Sequence, residues 1–346
     1  MSKWISIGDL HFGERGDSEK FNNSILDFLD WSIEVAKEHG ADKCIQLGDW
    51  FHHRNKIQVQ TLSYGIVGAR ILGNHFGRDN TFVLAGNHDL FYLDRLDVSS
   101  VSALDPFVTV IDEITPLSDK IVATPWVTDQ DMWDQVVEYS DTHKYLFAHL
   151  ELNGFMVNDR YEMETGHSPK EIRRFEKVLT GHYHSMQEKG NVLYVGTPYP
   201  ITMNEANEAH GVHIFDEETG ELTFVEYSGI KVISIPAKDL EEVLESLGEQ
   251  VENVSIRVEF PDDLDDESII DEVKEHLHSM KFDSVKIKYK GAKEKEILES
   301  SVDIENVENI DELVMAVIDE AVDVSGVDTK LLKQIYTDAI EQSNKG

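Results

Sequence analysis

The chain has 346 residues, 40% of them hydrophobic, and carries 31 lysines and arginines against 67 aspartates and glutamates, a formal net charge of -36. That length can bury a sizeable core and allows more than one domain. No apolar run is long enough to cross a membrane, and the negative surplus repels polyanions at long range, which argues against a stand-alone nucleic-acid binder but leaves open an enzyme that meets nucleic acid through bound metals or a basic partner.

The single cysteine, Cys44, excludes an intramolecular disulfide, and in "KCIQLGD" it reads as a buried, inert thiol. "MSKWISIGD" runs straight into a strand without an apolar leader, so a reducing, cytoplasmic setting is expected.

In chain order, "KWISIGD" reads as a strand ending in a loop. "EKFNNSILDFLDWSIEVAKEHG" places Phe21, Ile25, Phe28, Leu29, Ile33 and Ala36 at helical spacing and stops at Gly40. "DKCIQLGD" is a second strand, "QVQTLSYGIVGARILGNHFG" a helix despite its glycines, and "NTFVLAGNHD" a third strand. Strand, helix, strand, helix, strand points to an α/β fold with a largely buried sheet. Further short strands are expected at "VTVID", "KIVATPW", "KYLFAHL", "KVLTGHYH", "NVLYVG" and "GVHIFD". No long helices separate the later ones, so part of the sheet is expected to be mixed or antiparallel. Composition shifts near Gly229. "IKVISIP", "KDLEEVLESLG", "NVSIRVEF", "DESIIDEVKEHLHSM" and "SVKIKYKG" then spell a compact β-α-β-α-β unit. "GAKEKEILES" reads as a charged linker, and two short amphipathic helices close the chain.

The strands of the N-terminal region end in metal-compatible residues. The segments are "GDLH" (Asp9, His11), "GDWFHH" (Asp49, His52, His53), "GNHD" (Asn87, His88, Asp89), "AHLE" (His149) and "TGHYH" (His182, His184). In open α/β sheets, ligands bind outside the carboxyl ends of the strands. Carboxylates, an amide oxygen and imidazoles together suit manganese, iron or zinc, whereas magnesium and calcium favour oxygen alone. The donors suffice for two ions, with an aspartate as the natural bridge. Two ions about 3.5–4 Å apart clamp the attacking and leaving oxygens of an in-line displacement, so phosphate-ester hydrolysis is the leading chemistry.

The ordered set "GDLH…GDWFH…GNHD…H…GHYH" resembles the calcineurin-like metallophosphoesterase signature. "TGHYHS", "YVGTPYP", the "GDWFH" version with His52 and the small β-α-β-α-β unit narrow the resemblance. They point to the SbcD-type nuclease subunits of double-strand-break repair complexes, including phage recombination endonuclease subunits. It covers residues 1–230 strongly and the rest by layout. The implied architecture is an α/β metallophosphoesterase sandwich (1–229), a small capping domain for DNA recognition (230–291), a linker (292–304) and a C-terminal helical region (305–346).

By position, the resemblance implies one ion on Asp9, His11, Asp49 and His184, and another on Asp49, Asn87, His149 and His182. Manganese is preferred and magnesium possible. His88 matches the family's catalytic histidine, a proton donor to the leaving oxygen, and His52 a second histidine that places the substrate. The resemblance further implies double-stranded DNA exonuclease and single-stranded DNA endonuclease activity and a coiled-coil ATPase partner of the SMC type held by the C-terminal helices. It also implies a homodimer. A small-molecule or protein phosphoesterase using the same two-ion site is the alternative.

Around these residues, Arg54 and Lys56 in "HHRNK" are candidate phosphate contacts, and Thr197 in "VGTPYP" a candidate wall of the site. Asp89 reads as a support for a neighbouring histidine. "FMVNDRYEMETGHSPKEIRRFEKV" reads as a loop plus helix offering Lys170, Arg173 and Arg174 to a DNA backbone, or as a solvated face. His39, His75, His143, His167, His210, His213, His276 and His278 lack a motif and read mostly as solvated.

Overall fold

The computed structural model describes residues 2–158, 161–248, 251–261 and 268–289. The expected linker and C-terminal helices, residues 292–346, lie outside the described residues.

Two six-stranded sheets form the body. The first runs in spatial order Leu222–Glu226, Gly211–Asp216, Lys3–Ile7, Lys43–Gln46, Thr81–Leu84 and Thr109–Ile111. Its last four strands are parallel, and its first two pair antiparallel. The second runs Gln187–Lys189, Val192–Tyr194, Lys177–Gly181, Tyr145–His149, Ile121–Thr124 and Thr115–Pro116, parallel at its centre and antiparallel at both edges. The mixed pairing expected of the later strands is therefore present in both sheets.

Alternation along each strand builds the layers. Trp4, Ile45, Leu84 and Phe215 of the first sheet pack with Ile121, Phe147 and Leu179 of the second in one buried cluster. Trp4 meets Phe147 edge-on at 5.5 Å between ring centroids, and Tyr145 meets Phe215 at 4.9 Å. The neighbouring positions Ile5, Ile7 and Cys44 turn the other way, into a cluster with the helices. Cys44 is fully buried, and burial pushes its thiol pKa well up, as expected of an inert thiol.

The helix Glu19–His39 begins where the Ser18 hydroxyl accepts the Phe21 N–H at 3.3 Å. It ends at Gly40, whose φ of 70° is easy only for glycine. It buries Phe21, Ile25, Phe28, Leu29, Ile33 and Ala36, the stripe read from the sequence; each large side chain contributes about 1.5–3 kcal/mol. The helix Val59–Phe76 tolerates its glycines because they sit in contact: a Cβ at Gly65 would strike the Phe51 ring, and one at Gly73 the Phe107 carbonyl.

The strands Lys231–Pro236, Val254–Glu259 and Ser284–Lys288 form a separate parallel sheet in sequence order. With the helices Leu240–Leu247 and Ser268–Ser279 they enclose their own cluster of Leu240, Ile256, Val258, Phe260, Ile270 and Leu277. Ion pairs and hydrogen bonds tie this unit to the body. Arg15 and Lys20 both pair with Asp283, the latter at 2.7 Å, and Asn207 exchanges hydrogen bonds with Ser234.

Two readings are corrected. Residues 170–176 form turns, not a helix: Asn191 Nδ2 donates to the carbonyls of Ile172 and Phe175 at 3.0 and 2.9 Å, and the Glu176 N–H, which a helix would send to Ile172, donates to the Lys144 carbonyl at 2.7 Å. His210 and His213 are buried, not solvated. His210 Nδ1 donates to the Thr197 carbonyl at 2.9 Å, and His213 lies in the Gly211–Asp216 strand against the Phe224 ring.

Candidate metal centre

The carboxyl ends of the parallel strands from both sheets converge. Lys3–Ile7 leads to Asp9 and His11, Lys43–Gln46 to Asp49, and Thr81–Leu84 to Asn87. From the second sheet, Tyr145–His149 ends at His149, and Lys177–Gly181 leads to His182 and His184. The backbone bends sharply to bring them in. His11, Asp49 and His182 have φ of 51°, 55° and 96°, a region non-glycine residues seldom occupy. Strain of this kind costs about 1–3 kcal/mol per residue and collects at functional sites. The glycines before the ligands are there for space. A Cβ on Gly86 would fall on the Asp49 carboxylate and nitrogen, and one on Gly181 on Asp9 Oδ1, both inside 3.0 Å.

The donor atoms expected from the motifs form two groups, and His11, His52 and His88 make a third set as close. Those of Asp9, His11 and His184 lie within 4.8 Å of one another, as do those of Asp49, His149 and His182. Asn87 Oδ1 joins the second group, 2.9 Å from His149 Nε2 and 3.0 Å from His182 Nδ1. Asp49 Oδ2 stands between the groups, 3.3 Å from His149 Nε2 and 3.9 Å from His11 Nε2.

The electrostatics fit bound cations. Burial, and then Asp49 beside it, pushes the Asp9 carboxyl up to about 7, although His149 and His184 pull it down. Burial would raise Asp49 too, but His149, His88 and His11 hold it well below the ordinary carboxylate value. Burial alone would lower His149; Asp49 and Asp9 lift it to about 9. His11 is pushed down by burial and by His88. Asp9 Oδ1 and His11 Nε2 are buried with no hydrogen-bond partner, an arrangement that costs free energy unless something else meets them. A buried mix of carboxylate, amide oxygen and imidazole donors fits a pair of divalent ions.

The sequence is similar to Exonuclease subunit 1 of Enterobacteria phage T4, 29% identical over 231 residues, covering 64% of this chain and 67% of that protein. The five motifs in order, with their donors meeting around one aspartate, are those of a calcineurin-like metallophosphoesterase related to that phage protein. The chain's chemistry is metal-dependent hydrolysis of phosphoesters. No family model matches the sequence. Among solved structures, a dimetal phosphatase from Danio rerio aligns with a TM-score of 0.42 and 10% identity, over 66% of this chain and 97% of that one. The nuclease MPE of Pseudomonas putida aligns with a TM-score of 0.29 and 18% identity, over 61% and 83%. Both are too distant to bear on activity.

Around these donors stand two more histidines. His88 Nδ1 donates to the His52 carbonyl at 2.6 Å, which turns Nε2 toward Asp49 Oδ2, 4.0 Å away. The His52 ring stacks on His88, centroids 5.4 Å apart, and its Nδ1 pairs with Glu14 at 2.8 Å. Burial would raise Glu14, but the contact with His52 holds it down at about 2. His53 pairs instead with Asp17, at 3.5 Å. Asp89 is fully buried and accepts the N–H groups of Gly86, Trp50 and Phe51 at 3.0–3.2 Å, so it splices the GNHD turn to the GDWFH loop.

The other candidates fall further out. Arg54 Nε donates to the Leu90 carbonyl at 3.3 Å, and Lys56 is exposed. Thr197 is buried behind His184, its N–H donating to the His184 carbonyl at 2.9 Å and its hydroxyl near Glu205. Arg174 pairs with Asp141, while Lys170 and Arg173 are exposed.

Four neighbours escaped the motif reading. Glu14 meets His52, Glu205 meets His184 Nδ1 at 3.4 Å, and Glu151 meets His182 at 3.7 Å. Trp126 lies against His182 and His149, centroids 5.2 and 6.1 Å apart. Two of them left a trace in the sequence: Glu205 closes the capping box "TMNE" from Thr202, and Glu151 ends the segment "AHLE".

Proposed function

We propose that this metallophosphoesterase is a two-metal DNA nuclease, cutting double-stranded DNA as an exonuclease and single-stranded DNA as an endonuclease, in repair and recombination. The observation that carries it is Asp49, whose carboxylate faces two separate donor groups and, from a third side, His88 Nε2. The similarity to a protein named an exonuclease subunit directs the reading to DNA, and its being a subunit supports action within a complex.

Asp9, His11, Asp49 and His184 would hold one ion and Asp49, Asn87, His149 and His182 the other, with manganese the ion that the family resemblance favours. Bound there, the pair supplies charge neutralisation of the phosphate and activation of water. His88, with its Nδ1–H tied to the His52 carbonyl, leaves Nε2 to take up a second proton, and as the imidazolium it would pass that proton to the leaving oxygen and return to the neutral ring. His52, braced by Glu14, packs against His88 and orients the phosphate.

The small sheet of residues 231–288, inside the expected 230–291 domain, acts as a DNA-recognition cap, with Arg54 and Lys56 as phosphate contacts beside the site. Residues 305–346 dock a coiled-coil ATPase, whose basic surface offsets the repulsion of DNA by a chain of charge -36. The chain acts as a homodimer.

The test is cleavage of linear double-stranded DNA and of a single-stranded oligonucleotide, with manganese or magnesium, by wild type and His88→Ala, with metal content measured in both. Manganese-dependent cleavage lost in a mutant that keeps two ions is expected. Hydrolysis of phosphomonoesters alone would replace the nuclease reading with a phosphatase. A metal-free His88→Ala would remove its role as proton donor.

A further inference from the structure

Seven large hydrophobic side chains are exposed among the described residues, and four of them, Phe91, Tyr92, Leu93 and Val98, occupy one eight-residue loop. The loop starts three residues after His88. Its base is fixed: Phe91 N–H donates to the Val98 carbonyl at 3.0 Å, Leu90 pairs with Ser99, and the Ser100 hydroxyl donates to the Asp89 carbonyl at 3.2 Å. Arg54, beside the catalytic histidines, holds the same base through the Leu90 carbonyl. Leu96 turns inward against the core, while Phe91, Tyr92 and Leu93 stay 41–43% exposed. The loop therefore stands on a rigid footing next to the reacting centre and presents aromatic surface to water.

The aromatic groups are already arranged for stacking. Phe91 meets Tyr92 edge-to-face at 4.7 Å, and the Arg95 guanidinium lies 3.8 Å over the Tyr92 ring. Rings and guanidinium planes are the two surfaces on which unpaired bases stack. Charge is not the attraction, since Asp94 and Asp97 accompany Arg95, and Asp97 pairs with it at 3.0 Å. On so acidic a chain, a contact that works through base faces and not through phosphates escapes most of the repulsion. Four half-exposed side chains also fall well short of the about 800 Å² per partner that a stable protein interface needs.

We propose that the loop from Phe91 to Val98 is a stacking platform for unpaired bases of a single-stranded nucleic acid entering the metal centre, with Tyr92 as its main contact. The proposal rests on the nuclease reading and specifies how that site holds its substrate.

The test uses the full chain with manganese and compares Tyr92→Ala, Tyr92→Leu and Tyr92→Trp with wild type. Three readouts separate the possibilities: hydrolysis of bis(p-nitrophenyl) phosphate, cleavage of a single-stranded oligonucleotide, and quenching of a 2-aminopurine base within it. Tyr92→Ala and Tyr92→Leu are expected to raise KM for the oligonucleotide about tenfold, the effect of losing one stacked base, and to abolish quenching. Tyr92→Trp keeps both, and the small diester is hydrolysed equally by all four. A fully active Tyr92→Leu would reduce the contact to plain apolar burial and overturn the platform. An unchanged Tyr92→Ala would do the same while leaving the nuclease intact. Tyr92-dependent quenching without cleavage would sustain the platform and count against the nuclease. A Tyr92→Ala variant that loses oligomer mass but binds oligonucleotide normally would make the patch a contact between copies of this chain, and the proposal would fall.

Discussion

Replacing Glu205 with glutamine removes one acceptor oxygen from a buried bracket that serves both the fold and the metal centre. Glu205 is 5% exposed. Oε2 accepts the Ile201 N–H at 2.7 Å; Oε1 accepts the Thr202 N–H at 3.2 Å and its hydroxyl at 2.9 Å, and faces His184 Nδ1 at 3.4 Å. Whichever way the amide turns, its NH₂ faces a backbone donor, so either the buried Ile201 N–H or the part-buried Thr202 N–H loses its acceptor. That costs about 1–3 kcal/mol, and losing the charge weakens the remaining bonds. A total of about 3 kcal/mol lowers the melting temperature by about 4 °C for a chain of 346 residues.

The same change frees His184. A carboxylate behind a metal-ligating histidine sets its tautomer and ring orientation, and losing it typically costs about 10–100-fold in metal affinity. The assay is calorimetric titration of chelator-stripped protein with manganese, alongside thermal melting without metal. Thr202→Val is the control: it removes a hydroxyl that Glu205 accepts but leaves the contact with His184, so it should lower the melting temperature and spare the affinity. If Glu205→Gln melts early yet binds both ions as tightly as wild type, Glu205 only brackets the 197–202 turn and the reasoning is refuted.

Two further outcomes follow from the same geometry. Gly86→Ala pushes a methyl group onto Asp49 and is expected to lose metal along with about 1–3 kcal/mol of stability; Gly190→Ala, strained in φ but with nothing within 4 Å, should lose stability alone, and equal metal content in the two would count against Gly86 as a spacer. Without metal, the folded values of about 7 for Asp9, 8 for His184 and 9 for His149 lie above their ordinary ones, so the folded state holds protons the unfolded chain has released. That stability is complete below the unfolded values and is lost as pH rises through 7, 8 and 9. Ions take the place of these protons, and the melting gap between manganese-loaded and stripped protein should widen from pH 6.5 to 9; a constant gap would show that the donors are not shared between protons and metal.

The sequence by itself determined the order of strands and helices, the helical stripe from Phe21 to Ala36, the small β-α-β-α-β unit, and the donors at the strand ends. These are local properties: period, caps, and short motifs whose glycines precede the ligands. It left open which sheet each strand joins, because pairing joins residues far apart, as Trp4 with Phe215 does. Only the tertiary structure set Asp49 between two donor groups and put Glu14, Glu205 and Glu151 behind His52, His184 and His182. Those carboxylates lie outside the histidines' motifs, except for Glu151 beside His149, and act on histidines distant in the chain. The turn at 170–176 was also a tertiary outcome. Lys144, more than thirty residues away, takes the Glu176 N–H that a helix would bond to Ile172, and local propensity carries no record of that competition.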